Sequence, residues 1–250
     1  MRNITQNITR SLPVLLVAGA LKAYYSYANV NDLGWVLTPT TLLVEFVSGE
    51  TFRFESYAGY MSSDYSFLIA ASCSGVNFLI TAFVMLSLVE IWKEHSKMSI
   101  WKLVPLTLGV AYISTIIANA VRIVVALQLH RMGPEMVWVN PEQLHRFEGI
   151  LIYFGFLLFL FIVCEGLHRA DSPRARNMRS ILRRSFLPLM IYWLVTLGIP
   201  ILNGAYRQGS DFWEHFLFVL FTPLILVLPL AVVEYLRTGN TNRAETSRLL

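Results

Sequence analysis

The chain has 250 residues, 55% of them hydrophobic and only 14% charged, with a formal net charge of +4 and a mean hydropathy of +0.54. Soluble domains carry about 25% charged residues, so this composition excludes a soluble globular protein and implies a polytopic membrane protein. The positive charge is gathered in a few loops, the pattern that orients a chain in a bilayer, and no nucleic-acid partner is expected.

Residues 12–28 form the first apolar run. Arg2 and Arg10 precede it and no small-residue cleavage site follows, so a retained signal anchor is expected. Residues 35–47 are apolar but contain Pro39, three threonines and Glu45. As a helix they reach only about 20 Å, short of a hydrocarbon core of about 30 Å, so a re-entrant or interfacial segment is expected. Residues 51–55 alternate with period two, residues 57–60 are turn-like, and residues 65–69 form a second strand candidate. Together they predict a β-hairpin leading into Cys73. The runs 76–92, 103–129, 149–167, 186–202 and 216–236 are then long enough to cross a membrane.

The basic residues decide how these runs are threaded. With six spans, Arg2, Arg10, Lys93, Lys97, Lys102, the arginines between 169 and 184, Arg237, Arg243 and Arg248 share one side with both termini. A seventh span would put the 93–102 loop and the arginine block opposite the N-terminus, against the positive-inside rule. The expected fold is an all-α polytopic membrane protein of about six transmembrane helices with cytoplasmic N- and C-termini. A short extracytoplasmic re-entrant helix and a β-hairpin occupy residues 29–72. Residues 1–168 form the membrane core, 169–185 a basic cytoplasmic loop, 186–236 an added two-helix hairpin and 237–250 a cytoplasmic tail.

Three residues are chemically conspicuous. Arg122 stands inside the run 103–129, where a charge costs at least about 2.5–3.5 kcal/mol on the insertion scale. On the sequence it lies about 10 Å inside the outer end of that run. Thr115, Asn119 and Arg122 recur at i, i+4 and i+7, one face of a helix, which argues for an inward-facing polar stripe. The plainer reading of that stripe is an inter-helix contact with no chemistry. Cys73 opens a helix running inward from the outside, and His145 precedes the next outer helix end. The topology therefore brings a thiol, a guanidinium and an imidazole to one leaflet. A cysteine at a helix N-terminus has its nucleophilic thiolate favoured, a histidine can relay the proton, and an arginine can stabilise an oxyanion. Together they describe a cysteine peptidase or acyl-transferase. Ser74 is placed to cap the following helix, Gly75 to admit a substrate backbone, and Asn77 lies at i+4 from Cys73. Glu148, Asp64 and Glu45 are each available to orient His145. Cys164 lies deep in the run 149–167 and reads as a packing thiol.

Other classes fit less well. A transporter or channel with Arg122 as an anion site needs internal repeats or broken helices near the midplane, and none is visible. A zinc site from Cys73, His130 and His145 lacks any ligand pair at short helical spacing. A non-catalytic membrane scaffold is the third alternative. No metal and no cofactor is expected.

The blocks Ser72-Cys73-Ser74-Gly75-Val76-Asn77-Phe78, Asn119-Ala120-Val121-Arg122-Ile123 and His145-Arg146-Phe147-Glu148-Gly149 resemble the signature blocks of the exosortase/archaeosortase family. The segments 37–45 and 59–60 are similar to it as well. The resemblance covers about residues 12–168 and is closest to the exosortase K type. It implies a membrane-embedded cysteine transpeptidase in the bacterial cytoplasmic membrane, acting on the extracytoplasmic face. The implied partners, besides the bilayer, are membrane-anchored proteins whose C-terminal sorting signal combines a short motif, a transmembrane helix and a basic cluster. By position, Cys73 is the implied nucleophile, Arg122 the transition-state stabiliser and His145 the general acid/base. Ser74, Gly75, Asn77, Asn119 and Gly149 are the implied supporting residues. Cleavage through a thioester, with transfer to an unidentified acceptor, is the implied reaction.

Overall fold

The computed structural model describes residues 4–92, 98–132, 141–169, 179–202, 204, 207 and 210–229. Most of the expected basic loop (170–178) and the stretch 230–250, with the end of the last apolar run and the tail, lie outside the described residues. The chain divides into two compact units, Met1–Phe156 and Leu157–Leu250.

The first unit runs α1 (Ile4–Tyr27), α2 (Gly34–Ser48), strands β1 (Phe52–Glu55), β2 (Gly59–Ser62) and β3 (Leu68–Ile69), a 3-10 turn (Ala71–Ser74), α3 (Val76–Ile91), α4 (Ile100–Met132) and the start of α5 (Pro141–Arg169). Helix α3 is apolar on all sides and buried on nearly all of them, from Val76 through Ser87, so it forms the core of this unit. Helices α1 and α4 pack against it. The buried residues of α1 are Asn7, Ser11, Val14 and Ala18, while Ile4, Ile8, Leu12, Leu15 and Leu16 are exposed on the other side. One face thus meets α3 and the other is suited to lipid. The Ser87 and Thr107 hydroxyls join α3 to α4 at 2.8 Å, a polar tie of the kind that holds membrane helices together. Near the start of α4, Arg10 donates to the Met98 carbonyl.

The segment expected to be re-entrant is α2, a single helix of 15 residues. Pro39 has no N–H to give to the Trp35 carbonyl four residues back. The Tyr112 hydroxyl of α4 donates to that carbonyl instead, at 2.7 Å, and the Trp35 and Tyr112 rings stack at 5.7 Å. At the other end Arg131 of α4 pairs with Glu50. Helix α2 therefore runs parallel to the second half of α4.

The extended segment is a three-stranded antiparallel meander in the order β1-β2-β3. Phe54 lies opposite Tyr60, with ring centroids 5.1 Å apart. Residues 57–60 are turn-like in sequence. Gly59 and Tyr60 are instead the first residues of β2, and the turn closes earlier, with Ala58 N–H donating to Glu55 at 3.1 Å. Gly59 has φ +129°, and a Cβ there would stand 2.3 Å from the Ile69 carbonyl oxygen. Only glycine allows β3 to lie so close.

Among the described residues, four helical stretches are long and apolar enough to cross a membrane: Ala71–Ile91, Ile100–Arg131, Arg146–Gly166 and Phe212–Pro229. Phe186–Leu202 is apolar but shorter. The protein is thus a helical membrane protein carrying a small sheet. Helix α1 has 24 residues, but Asn7, Arg10, Ser11 and Lys22 interrupt its apolar character.

The second unit contains α6 (Arg179–Trp193), a π-helical turn (Leu194–Gly198), α7 (Ile199–Leu202) and α8 (Ser210–Phe221). The Thr196 hydroxyl donates to the Tyr192 carbonyl within the widened turn at 2.6 Å. Trp193 Nε1–H donates to the Val219 carbonyl at 3.2 Å, tying α6 to α8. Phe212, Trp213 and Phe216 form an aromatic cluster, as expected of anchors at a membrane interface.

Candidate active site

Cys73 sits on the short turn between β3 and α3. Its N–H closes the 3-10 turn onto the Ala70 carbonyl at 2.9 Å. Gly75 follows at φ +72°, ends that turn and starts α3. The sequence thus places a half-buried thiol on a strand–turn–helix bend, with the dipole of a well-buried helix behind it.

The polar stripe of α4 faces inward, as its spacing predicts: Thr115 and Asn119 are completely buried. Asn119 Nδ2 donates to the Cys73 carbonyl at 2.5 Å. Tyr153 of α5 donates from its hydroxyl to Asn119 Oδ1 at 2.7 Å, and Arg122 Nη1 donates to that hydroxyl at 3.2 Å. The Arg122 guanidinium also lies 5.4 Å from the centre of the Tyr153 ring, and Phe78 stacks on that ring at 5.2 Å. Arg122 interacts electrostatically with Tyr153, Cys73 and Glu148. The buried carboxyl of Glu148 gives the guanidinium a nearby opposite charge, which offsets the cost of placing it among apolar helices. Cys73 and Arg122, 49 residues apart in sequence, are therefore brought together.

Asn119 is level with Cys73, and helix α4, of 33 residues, continues beyond that level, where Arg131 pairs with Glu50.

Several supporting assignments change. Ser74 does not cap α3: Gly75 holds the N-cap position with no side-chain cap bond, and the Ser74 hydroxyl is buried with no hydrogen-bond partner among the described residues. In the direction of a Cβ at Gly75 the fold is already filled: that atom would stand 3.2 Å from Thr115 Cγ2, 3.2 Å from Tyr153 Oη and 3.3 Å from Asn119 Cγ. The glycine lets α4 and α5 approach the turn. Asn77 does not share a helix with Cys73, since Gly75 breaks the spacing. Its Oδ1 accepts a hydrogen bond from Lys22 Nζ of α1 at 2.7 Å. Gly149 also has a local use: a Cβ there would lie 2.9 Å from Arg122 Nε, so the missing side chain lets the guanidinium cross α5.

His145 has its backbone on α5, one turn before Gly149 and two before Tyr153, and its side chain lies outside the described residues. Glu45 and Asp64 are committed elsewhere. Glu45 accepts the Phe52 N–H at 2.7 Å. Asp64 accepts the Ser62 hydroxyl at 2.6 Å and the Ser66 hydroxyl at 2.7 Å. These bonds, that from Ser62 first, hold the exposed Asp64 carboxyl at about 2. Both residues serve the sheet. Glu148 lies beside Arg122 on the helix that carries His145.

Sequence reasoning missed Tyr153 and Lys22. Tyr153 is hidden in an aromatic helix that reads as lipid-facing, but His145, Gly149 and Tyr153 recur at i, i+4 and i+8, which marks one face. Lys22 is a charge inside an apolar run, the same signal that singled out Arg122.

A thiol on a strand–turn–helix bend, linked through buried polar groups to an arginine between membrane helices, defines a membrane-embedded helical protein with a candidate thiol site. Residues 46–163 match the family described as transmembrane exosortase, a span that includes Cys73, Arg122, His145 and Tyr153. This match supports a likeness of this region of the chain to the transmembrane exosortase family. The match is to the family as a whole and not to a type within it. Comparison with curated proteins and with solved structures gives no match.

Proposed function

We propose that the protein is a membrane-embedded cysteine transpeptidase that cleaves C-terminal sorting signals of exported proteins. The observation that supports this most is the anchoring of the Cys73 turn, through its carbonyl, Asn119 and Tyr153, to Arg122. A packing thiol needs no such arrangement. Cys73 loses its proton to His145 and its sulfur attacks the scissile carbonyl. Arg122 stabilises the oxyanion as the carbon becomes tetrahedral. The carbon–nitrogen bond breaks, the amine leaves with the proton held by His145, and a thioester remains. An acceptor nucleophile or water then attacks the thioester, loses its proton to the site and releases the thiol.

A substrate that is itself a membrane helix reaches such a site laterally, within the bilayer. With six spans and cytoplasmic termini, the Cys73 end of α3 faces the extracytoplasmic side, and the cleavage motif meets the thiol there. The substrate's transmembrane helix and basic cluster hold the motif at that level.

Replacing Cys73 by Ala tests the reaction. A reporter with a motif, helix and basic tail is expected to remain unprocessed with Cys73→Ala while the variant still inserts and accumulates. Cys164→Ala is expected to process normally. Undiminished cleavage by Cys73→Ala overturns the thiol mechanism.

A further inference from the structure

A one-directional chain of hydrogen bonds leads from Arg122 to the peptide group of Cys73. Arginine has donors only, so Nη1 donates to Tyr153 Oη, at 3.2 Å. The phenol has a single proton, and it goes to Asn119 Oδ1, at 2.7 Å. That bond sets which way the amide points, leaving Nδ2 to donate to the Cys73 carbonyl at 2.5 Å. Tyr153 is the link that both accepts and donates. Its ring is held by Phe78 stacked at 5.2 Å and 18° and by the guanidinium 5.4 Å from its centroid. No rotation of the ring is needed for the hydroxyl to serve both neighbours.

We infer that Tyr153 is a positioning residue that locks the Arg122 guanidinium beside the Cys73 turn and fixes both to one another. The inference rests on Cys73 being the nucleophile and names what keeps its cation in place. A guanidinium on a long side chain has many rotamers, and Gly149 leaves room for it to lie across α5. The phenol selects one of them. Among the described residues, Glu148 on α5 and Tyr25 on α1 are further titratable groups facing this cluster. Lys22, also on α1, is engaged by Asn77. A merely space-filling role for Tyr153 is retained by phenylalanine, which keeps the stacking and the cation–π contact and deletes only the hydroxyl.

The test uses the full-length chain in detergent with Cys164→Ala, which leaves Cys73 as the one cysteine. Alkylation of Cys73 by iodoacetamide is followed from neutral to alkaline pH. The chain with Tyr153 intact is compared with Tyr153→Phe, Arg122→Lys and the double variant. Tyr153→Phe is expected to displace the pH–rate profile upward by about one unit, about tenfold in rate on its acid side, because the cation is no longer held near the thiolate. Arg122→Lys keeps the charge but loses the fork geometry, and is expected to shift the profile similarly. The double variant is expected to add little to either. An unmoved profile for Tyr153→Phe, or shifts that simply add, overturns the inference. If Tyr153→Phe does not assemble, Arg122→Lys decides alone, and a profile coincident with that of the parent overturns it. Alkylation needs no substrate, so this outcome is independent of whether Cys73→Ala abolishes processing.

Discussion

Gly75→Ala perturbs the hinge on which the site turns. The residue has φ +72°, a conformation that costs an L-residue about 1–2 kcal/mol. The added Cβ would also meet Thr115 Cγ2 and Tyr153 Oη at 3.2 Å and Asn119 Cγ at 3.3 Å, each tighter than an ordinary contact. Overpacking of this kind costs about 1–3 kcal/mol, so the total loss is about 2–5 kcal/mol. The strain is relieved either by moving the 3-10 turn or by pushing Asn119 and Tyr153 away from it. Both routes break the anchor of the Cys73 carbonyl, so processing is expected to fall further than stability. Thermal unfolding of the detergent-solubilised chain reads the first effect, and cleavage of the sorting-signal reporter reads the second. Gly109→Ala is the control: it lies in α4, and nothing lies within 4 Å of an added Cβ. Helix propensity predicts that it is neutral or stabilising by up to about 1 kcal/mol. A Gly75→Ala protein within about 0.5 kcal/mol of the parent and fully active would refute both the backbone and the packing parts of this reasoning.

Two further outcomes follow from single contacts. Lys22→Met and Asn77→Leu each remove the α1–α3 hydrogen bond of 2.7 Å. In a double-mutant cycle on thermal stability they are expected to couple by about 1 kcal/mol, and strictly additive losses would show that the pair contributes nothing. Asp64, held at about 2 by Ser62 and Ser66, lies below the ordinary carboxylate value of about 3.9. Its contribution to the β2–β3 turn is therefore complete above about pH 4 and is lost as pH falls through the folded value. Limited proteolysis of the turn is expected to accelerate over that acid range in the parent and to lose that acceleration in Asp64→Asn. Identical acid profiles would rule out the carboxylate's role.

The helices that cross a membrane thickness were legible because bilayer hydrocarbon accepts only long apolar stretches, a constraint written residue by residue. Among the described residues, four of the six expected runs meet it. The inward stripe Thr115–Asn119–Arg122 was legible for a related reason, since polar groups at helical spacing must face something other than lipid. Lys22 carried the same signal and was passed over among the tyrosines at the end of α1. Strand boundaries were less legible: residues 57–60 contain a glycine and read as a turn, whereas Gly59 is there to let β2 approach β3.

Sequence alone determined that this chain is a helical membrane protein and that Cys73 and Arg122 stand out within it, because composition, charge and spacing are local properties. Only the tertiary structure decided what each supporting residue touches. It assigned Gly75 and Gly149 to close approaches within the fold, gave Asn77 to Lys22 and Glu45 to β1, and drew Tyr153 into the site. Those choices depend on which helix faces which and at what height, and a contact between residues 46 or 34 positions apart leaves no mark in either neighbourhood.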